Sequence, residues 1–165
     1  MKNLFSLFCI LSLLPVLGMG QGETREAASH GYAYVSPGAI VSGGGAASTI
    51  QFGGGGEFNL YKGLGIGLDL GYMNPIEAMS SGVGVFSANG LYSFSRNGGT
   101  KLVPFITGGY SLLFRGDVLN AVNFGGGLNY WFSDKAGLRF EFRDYVQPQH
   151  WDAHFIQGRI GINIR

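Results

Sequence analysis

Residues 137-146, GLRFEFRDYV, alternate between apolar and polar side chains, and this alternation restricts the fold more than any other stretch of the chain. Leu138, Phe140, Phe142 and Val146 share one parity; Arg139, Glu141, Arg143 and Tyr145 share the other. Side chains along an extended chain point to opposite faces in turn, so the segment reads as a strand with one face that avoids water and one that needs polar partners. At helical spacing the same residues scatter around the circumference, which argues against a helix.

The same period recurs along the chain. Ile50, Phe52, Phe58 and Leu60 alternate with Gln51, Glu57, Asn59 and Tyr61; Leu64, Ile66, Leu68, Leu70 and Tyr72 alternate with Gly65, Gly67, Asp69, Gly71 and Met73. Phe86, Tyr92 and Phe94 oppose Ser87, Asn89 and Ser93, and Phe124, Leu128, Tyr130 and Phe132 oppose Asn123, Asn129 and Trp131. At the end of the chain Ile160, Ile162 and Ile164 oppose Gln157, Arg159, Asn163 and Arg165. Two further segments, 32-41 and 102-114, are extended in character but leave their facing open, and Pro37 inside the first predicts a bulge or irregularity because it cannot donate to a ladder. The pattern predicts eight strands: 32-41, 50-61, 64-73, 83-95, 102-114, 122-132, 137-146 and 154-165. Lys62-Gly63, 74-82 (beginning Asn74-Pro75), 96-99, 115-121, 133-135 and 147-153 serve as turns or connections. A strand crossing a bilayer obliquely needs about 9 to 11 residues, so nearly all of these could span one.

Alternation alone fits two closed barrels of opposite facing. One has an oily exterior in a membrane; the other is a lipocalin-like carrier with an oily cavity. Composition favours the first, since only 13% of residues are charged while 30 of the 165 are glycine and 13 are phenylalanine. Past residue 20 the lysines are Lys62, Lys101 and Lys135, each in an even-numbered connection and none in a strand body, where a solvated exterior would carry several. The charged parity is therefore expected inside, where eight strands leave just enough room for side chains. Glu57, Asp69, Arg139, Glu141, Arg143 and Arg159 are expected to pair there as a mixed-sign plug, with Gly53, Gly65, Gly67, Gly125 and Gly127 making space. Gly54, Gly56, Gly90 and Gly126 fall on the outward parity. The outward aromatics Tyr72, Phe94, Tyr130 and Phe132 near strand ends are expected at the two membrane interfaces.

Residues 1-20 have the form of a secretory signal: Lys2, an apolar run from Leu4 to Leu17, and small residues before Gln21. Residues 21-31 read as a mobile lead-in, and 32-165 as the barrel domain. Cys9, the only cysteine, lies in the signal, so the mature chain is expected to have no disulfide. A net charge of +1 gives no basic field for nucleic acid.

Three stretches, VPFITGGYS (103-111), NFGGGLNYWFSDKAGLRFEFRDYV (123-146) and HFIQGRIGINI (154-164), resemble the last four strands of the OmpA-like outer-membrane β-barrel domains. In that family the penultimate strand carries an Arg-x-Glu-x-Arg inner face, to which Arg139, Glu141 and Arg143 correspond. The resemblance is good over 102-165 and thinner over 32-95. It implies an all-β, eight-stranded antiparallel up-and-down transmembrane barrel in a bacterial outer membrane, with both termini in the periplasm. Lipid and, during insertion, the barrel assembly machinery would be its partners. The sequence ends Asn163-Ile164-Arg165, where the family usually ends on Phe or Trp, and neither long outer loops nor a peptidoglycan-binding domain is expected. The family's motifs identify a fold and not an activity.

Catalytic and metal chemistry find little support. His30, His150 and His154 have no metal-ligand spacing, no cofactor motif is present, and GGGGEF at 53-58 is followed by no helix that could hold a phosphate. His150, Asp152 and Ser80 or Ser81 could meet at one rim and would be the residues of a rim hydrolase or acyl transferase; no enzyme is the expectation. A pore is expected to conduct little through a filled lumen.

Overall fold

A computed structural model describes residues 29-94 and 101-165. The expected signal (1-20), most of the lead-in and the turn at 96-99 lie outside the described residues. Eight strands form one closed barrel, each antiparallel to its neighbours in sequence, with β1 and β8 closing the ring. They are β1 (His30–Ser42), β2 (Gly45–Tyr61), β3 (Leu64–Pro75), β4 (Val83–Ser93), β5 (Leu102–Arg115), β6 (Asp117–Trp131), β7 (Ala136–Gln147) and β8 (His150–Ile164). A short 3-10 segment, Ile76–Ser81, joins β3 to β4. Strands of 11 to 17 residues meet or exceed the length needed for a tilted bilayer crossing.

The connections alternate between two ends. Lys62-Gly63, Lys101 and Lys135 lie at the end that carries His30 and Arg165; there the Trp131 amide donates to the Lys101 carbonyl and the Arg165 amide to that of Lys135. Lys62 and Gly63 both have positive φ, 45° and 86°, the geometry of a two-residue hairpin turn matched to strand twist. The far end holds the turn at 43-44, the 3-10 segment, the single-residue turn at Gly116 (φ 78°) and the turn at 148-149.

Several strands run past the bounds that patterning suggests. His30 and Gly31 belong to β1, not to a lead-in; β2 starts at Gly45, β6 at Asp117 and β8 at His150, so most of 115-121 and 147-153 is strand. Ladder pairing with a neighbour extends a strand whether or not its side chains alternate, which is why these ends were silent in the pattern. Pro37 makes no bulge. Against β8 the register is the same on both sides of it, Val35↔Ile160 and Gly38↔Gln157, and against β2 it pairs with Ile50. Its ring points outward on the strand face, so only local pairing toward β8 is interrupted. True register shifts fall at Asn59/Tyr61 and Val146/Gln147.

Polarity is inverted relative to a water-soluble protein. Arg139, Arg143 and Arg159 head the fully buried side chains by volume, while Phe52, Phe142 and Ile162 are 52%, 55% and 54% exposed. Burying one such hydrophobe is worth roughly 1.5–3 kcal/mol, so an exterior of this kind in water would forgo most of the driving force for folding. The lipocalin-like alternative requires the opposite facing and is not the one the chain adopts.

Candidate functional site

The six charged residues anticipated for the interior converge there. Glu57 comes from β2, Asp69 from β3, Arg139, Glu141 and Arg143 from β7, and Arg159 from β8; all are buried. The ladder explains how they fit, because five of the six face a glycine across a strand pair: Asp69↔Gly55, Glu57↔Gly67, Arg139↔Gly161, Glu141↔Gly127 and Arg143↔Gly125. A Cβ on Gly55 would lie 2.7 Å from the Asp69 Cβ and 2.8 Å from the Tyr32 hydroxyl, so the glycine holds the space that the charged side chain occupies. Gly65 and Gly67 are likewise inward, as expected.

Asp69 is the hub of the network. It accepts from Arg143 Nη1 at 2.8 Å, Arg159 Nη2 at 3.3 Å and Asn89 Nδ2 at 3.2 Å, with the Tyr32 and Tyr34 hydroxyls at 3.5 and 3.4 Å. Glu141 takes Arg139 Nε at 2.8 Å and Arg143 Nε at 2.6 Å, and Glu57 pairs with Arg139 Nη2 at 2.7 Å and His30 Nε2 at 3.5 Å. Three arginines against three carboxylates balance in formal charge, which is what burial of so many ions demands. Aromatic faces complete the enclosure: the Arg139 guanidinium lies 4.1 Å from the Phe105 ring centroid, and that of Arg159 lies 4.2 Å from the Tyr34 centroid. Arg159 also donates to the Tyr145 hydroxyl.

Above and below, the interior is layered. Toward the termini His30 and Trp131 pack edge to face at 5.2 Å, and the Arg165 guanidinium lies 3.8 Å from the Trp131 ring centroid. Toward the far end comes a neutral polar ring, in which Ser36 donates to Gln157 (3.0 Å), Gln157 to Thr49 (2.9 Å) and Asn123 to Ser111 (2.8 Å). Beyond it the inward positions turn apolar: Met73, Val85, Leu113, Ala121 and Tyr145 form one buried cluster, with Val83 and Phe155 against it.

Parity missed three parts of the barrel, two of them in this interior. Tyr32 and Tyr34 lie in 32-41 and Phe105 in 102-114, the two segments whose facing the pattern left open; pairing turns Tyr32, Tyr34, Val103, Phe105, Thr107 and Ser111 inward. The apolar far end was also missed, although Met73 already stood on the inner parity of its strand. The third part is an exception on the outer face. Asp144, on the parity of Phe140 and Phe142, pairs with His154 Nδ1 at 2.8 Å, so the apolar exterior of β7 and β8 ends there. Tyr72, Phe94, Tyr130 and Phe132 all point outward; Phe94, Tyr130 and Phe132 lie at the termini end and Tyr72 toward the far end, 6.0 Å from Phe52. Of the rim residues, Ser80 engages Arg115 through its carbonyl (3.0 Å) and Asp152 is exposed beside Gly43, while the His150 side chain lies outside the described set.

Solved structures share this architecture. Neisserial surface protein A (NspA) superposes with a TM-score of 0.70 at 13% identity, over 84% of this chain and 97% of that one. The fold is that of the small eight-stranded outer-membrane barrels. The N-terminal barrel domain of Pseudomonas aeruginosa OprF matches at 0.58 and 15% identity over 81% and 96% of the two chains. Ail, the attachment invasion locus protein of Yersinia pestis, matches at 0.56 and 8% identity over 85% and 99%. No protein-family profile and no curated protein matches the sequence. At these identities the likeness to this barrel is one of fold.

Proposed function

We propose that the protein is a small integral barrel of a bacterial outer membrane, with a structural or surface-interaction role, no enzymatic activity, and a lumen filled by its own side chains. The observation that carries this reading is the inverted polarity of a closed barrel: buried, mutually neutralised arginines within and phenylalanines without. Lipid is the partner of the apolar exterior, and the assembly machinery of the membrane is the partner during insertion. Tyr72, Phe94, Tyr130 and Phe132 sit in the interfacial girdles, and the Asp144–His154 pair marks the upper limit of the hydrocarbon on that side. The three lysines at the termini end face the periplasm. The ion-pair network of Asp69, Glu57, Glu141 and the three arginines braces the wall and blocks solute passage.

Cell fractionation tests the location. The protein is expected with outer-membrane vesicles and released by detergent but not by salt or alkali; recovery in the soluble periplasm would overturn the reading. Neighbours of the same fold also support a surface role, and loss of the protein should then alter envelope integrity or cell adhesion without changing the chemistry of envelope lipids.

A further inference from the structure

The inward face of the far end is apolar where an open, water-facing mouth would be expected to be polar. Ile40, Met73, Val83, Leu113, Leu119 and Phe155 line a cavity of about 350 Å³ there. The volume lies at the lower end of small-molecule sites, roughly 300–1,000 Å³, enough for one aliphatic chain and too small for a multi-chain lipid. Val85 and Tyr145, with no exposed surface, cluster with the cavity-lining residues Met73 and Leu113, and the polar ring of Gln157, Ser111 and Asn123 lies beneath. The cavity rim carries Arg115 and Asp117, ladder neighbours on either side of the turn at Gly116, so the entrance offers both signs of charge and favours neither an anionic nor a cationic headgroup. Arg115 also ties down the 3-10 segment at one side of the mouth through the Ser80 carbonyl.

We infer that this vestibule binds a single aliphatic chain of an uncharged amphiphile, chain inward against Met73, Leu113 and Phe155, headgroup at the Arg115–Asp117 rim. Filling it removes from water the apolar surface that Ile40, Val83, Leu119 and Phe155 still expose, and that supplies the driving force. The inference requires the barrel and its facing but not its cellular location, so it stands or falls separately from the fractionation result.

The full barrel in lipid nanodiscs is photolabelled with a diazirine-bearing decanol, and the adducts are mapped by mass spectrometry. Label is expected on the inward residues Met73, Leu113 and Phe155, saturable by unlabelled decanol and only weakly by decanoate. Bilayer-dissolved probe also labels the outward Tyr72 and Phe114, without saturation, and this second pattern reports that each variant is folded. Val83→Trp fills the cavity with apolar bulk and Leu113→Gln makes it polar; each should lower inward labelling about tenfold and leave outward labelling unchanged. Adducts confined to outward residues, or inward adducts indifferent to both substitutions, would overturn the site. Competition by decanoate as strong as that by decanol would overturn the uncharged headgroup.

Discussion

At the scale of single residues, Asp69 is the most exposed to failure, because two arginines, an asparagine and two tyrosines converge on one carboxylate. Removing one member of a buried ion network strands the others, at a cost of about 3–5 kcal/mol. Asp69→Asn keeps the shape and loses the charge, and is expected to lower the unfolding free energy of the barrel in vesicles, read by urea titration, by that amount; an unchanged free energy would mean that water already screens the arginines. Neighbouring glycines separate in the same assay. Gly55→Ala forces a methyl toward Asp69 and Tyr32 and should cost about 1–3 kcal/mol. At Gly56, one position along, an added Cβ meets nothing nearer than 3.7 Å, and the alanine variant should stay within about 0.5 kcal/mol of the parent. The inward parity of all six charged residues was legible in the sequence. Their partners were not, since Arg143 and Arg159 reach Asp69 from 74 and 90 residues away.

At the scale of strands, the lipid-facing parity makes a depth-dependent prediction. Phe142 lies mid-strand in β7, opposite Gly126 and Gly158, whereas Phe132 follows the end of β6. Arginine at the centre of a bilayer-facing wall costs about 2–4 kcal/mol and near an interface about 0–1. Phe142→Arg should therefore destabilise the folded barrel in vesicles several-fold more, in free energy, than Phe132→Arg; equal effects would mean that both positions face water. Strand existence and facing were readable wherever one parity carried charge or amide, as in β3, β7 and β8. Facing alone was unreadable in β5, where Leu102, Val103, Phe105 and Ile106 make both faces apolar, and strand extent was unreadable at the starts of β2 and β6, where pairing alone extends the strand.

At the scale of the molecule, a closed ring whose interior balances three arginines against three carboxylates should brace without conducting. Vesicles carrying the protein are expected to retain a trapped sugar as long as empty vesicles do. Rapid swelling in that sugar would show a continuous water path through the network. The Arg139–Glu57 and Arg143–Asp69 pairs, 2.7 and 2.8 Å long, join β7 across the lumen to β2 and β3, so loss of either should lower the cooperativity of unfolding as well as the midpoint.

The sequence by itself determined that the chain forms two-faced strands, how many there are, and that the charged residues and a row of apolar side chains lie on opposite faces, because these follow from period two and from where lysine is absent. The tertiary structure decided the rest. Which carboxylate holds which arginine, the facing of β1 and β5, and the change from polar to apolar at the far mouth arise from ring closure, which brings together residues that no local periodicity relates.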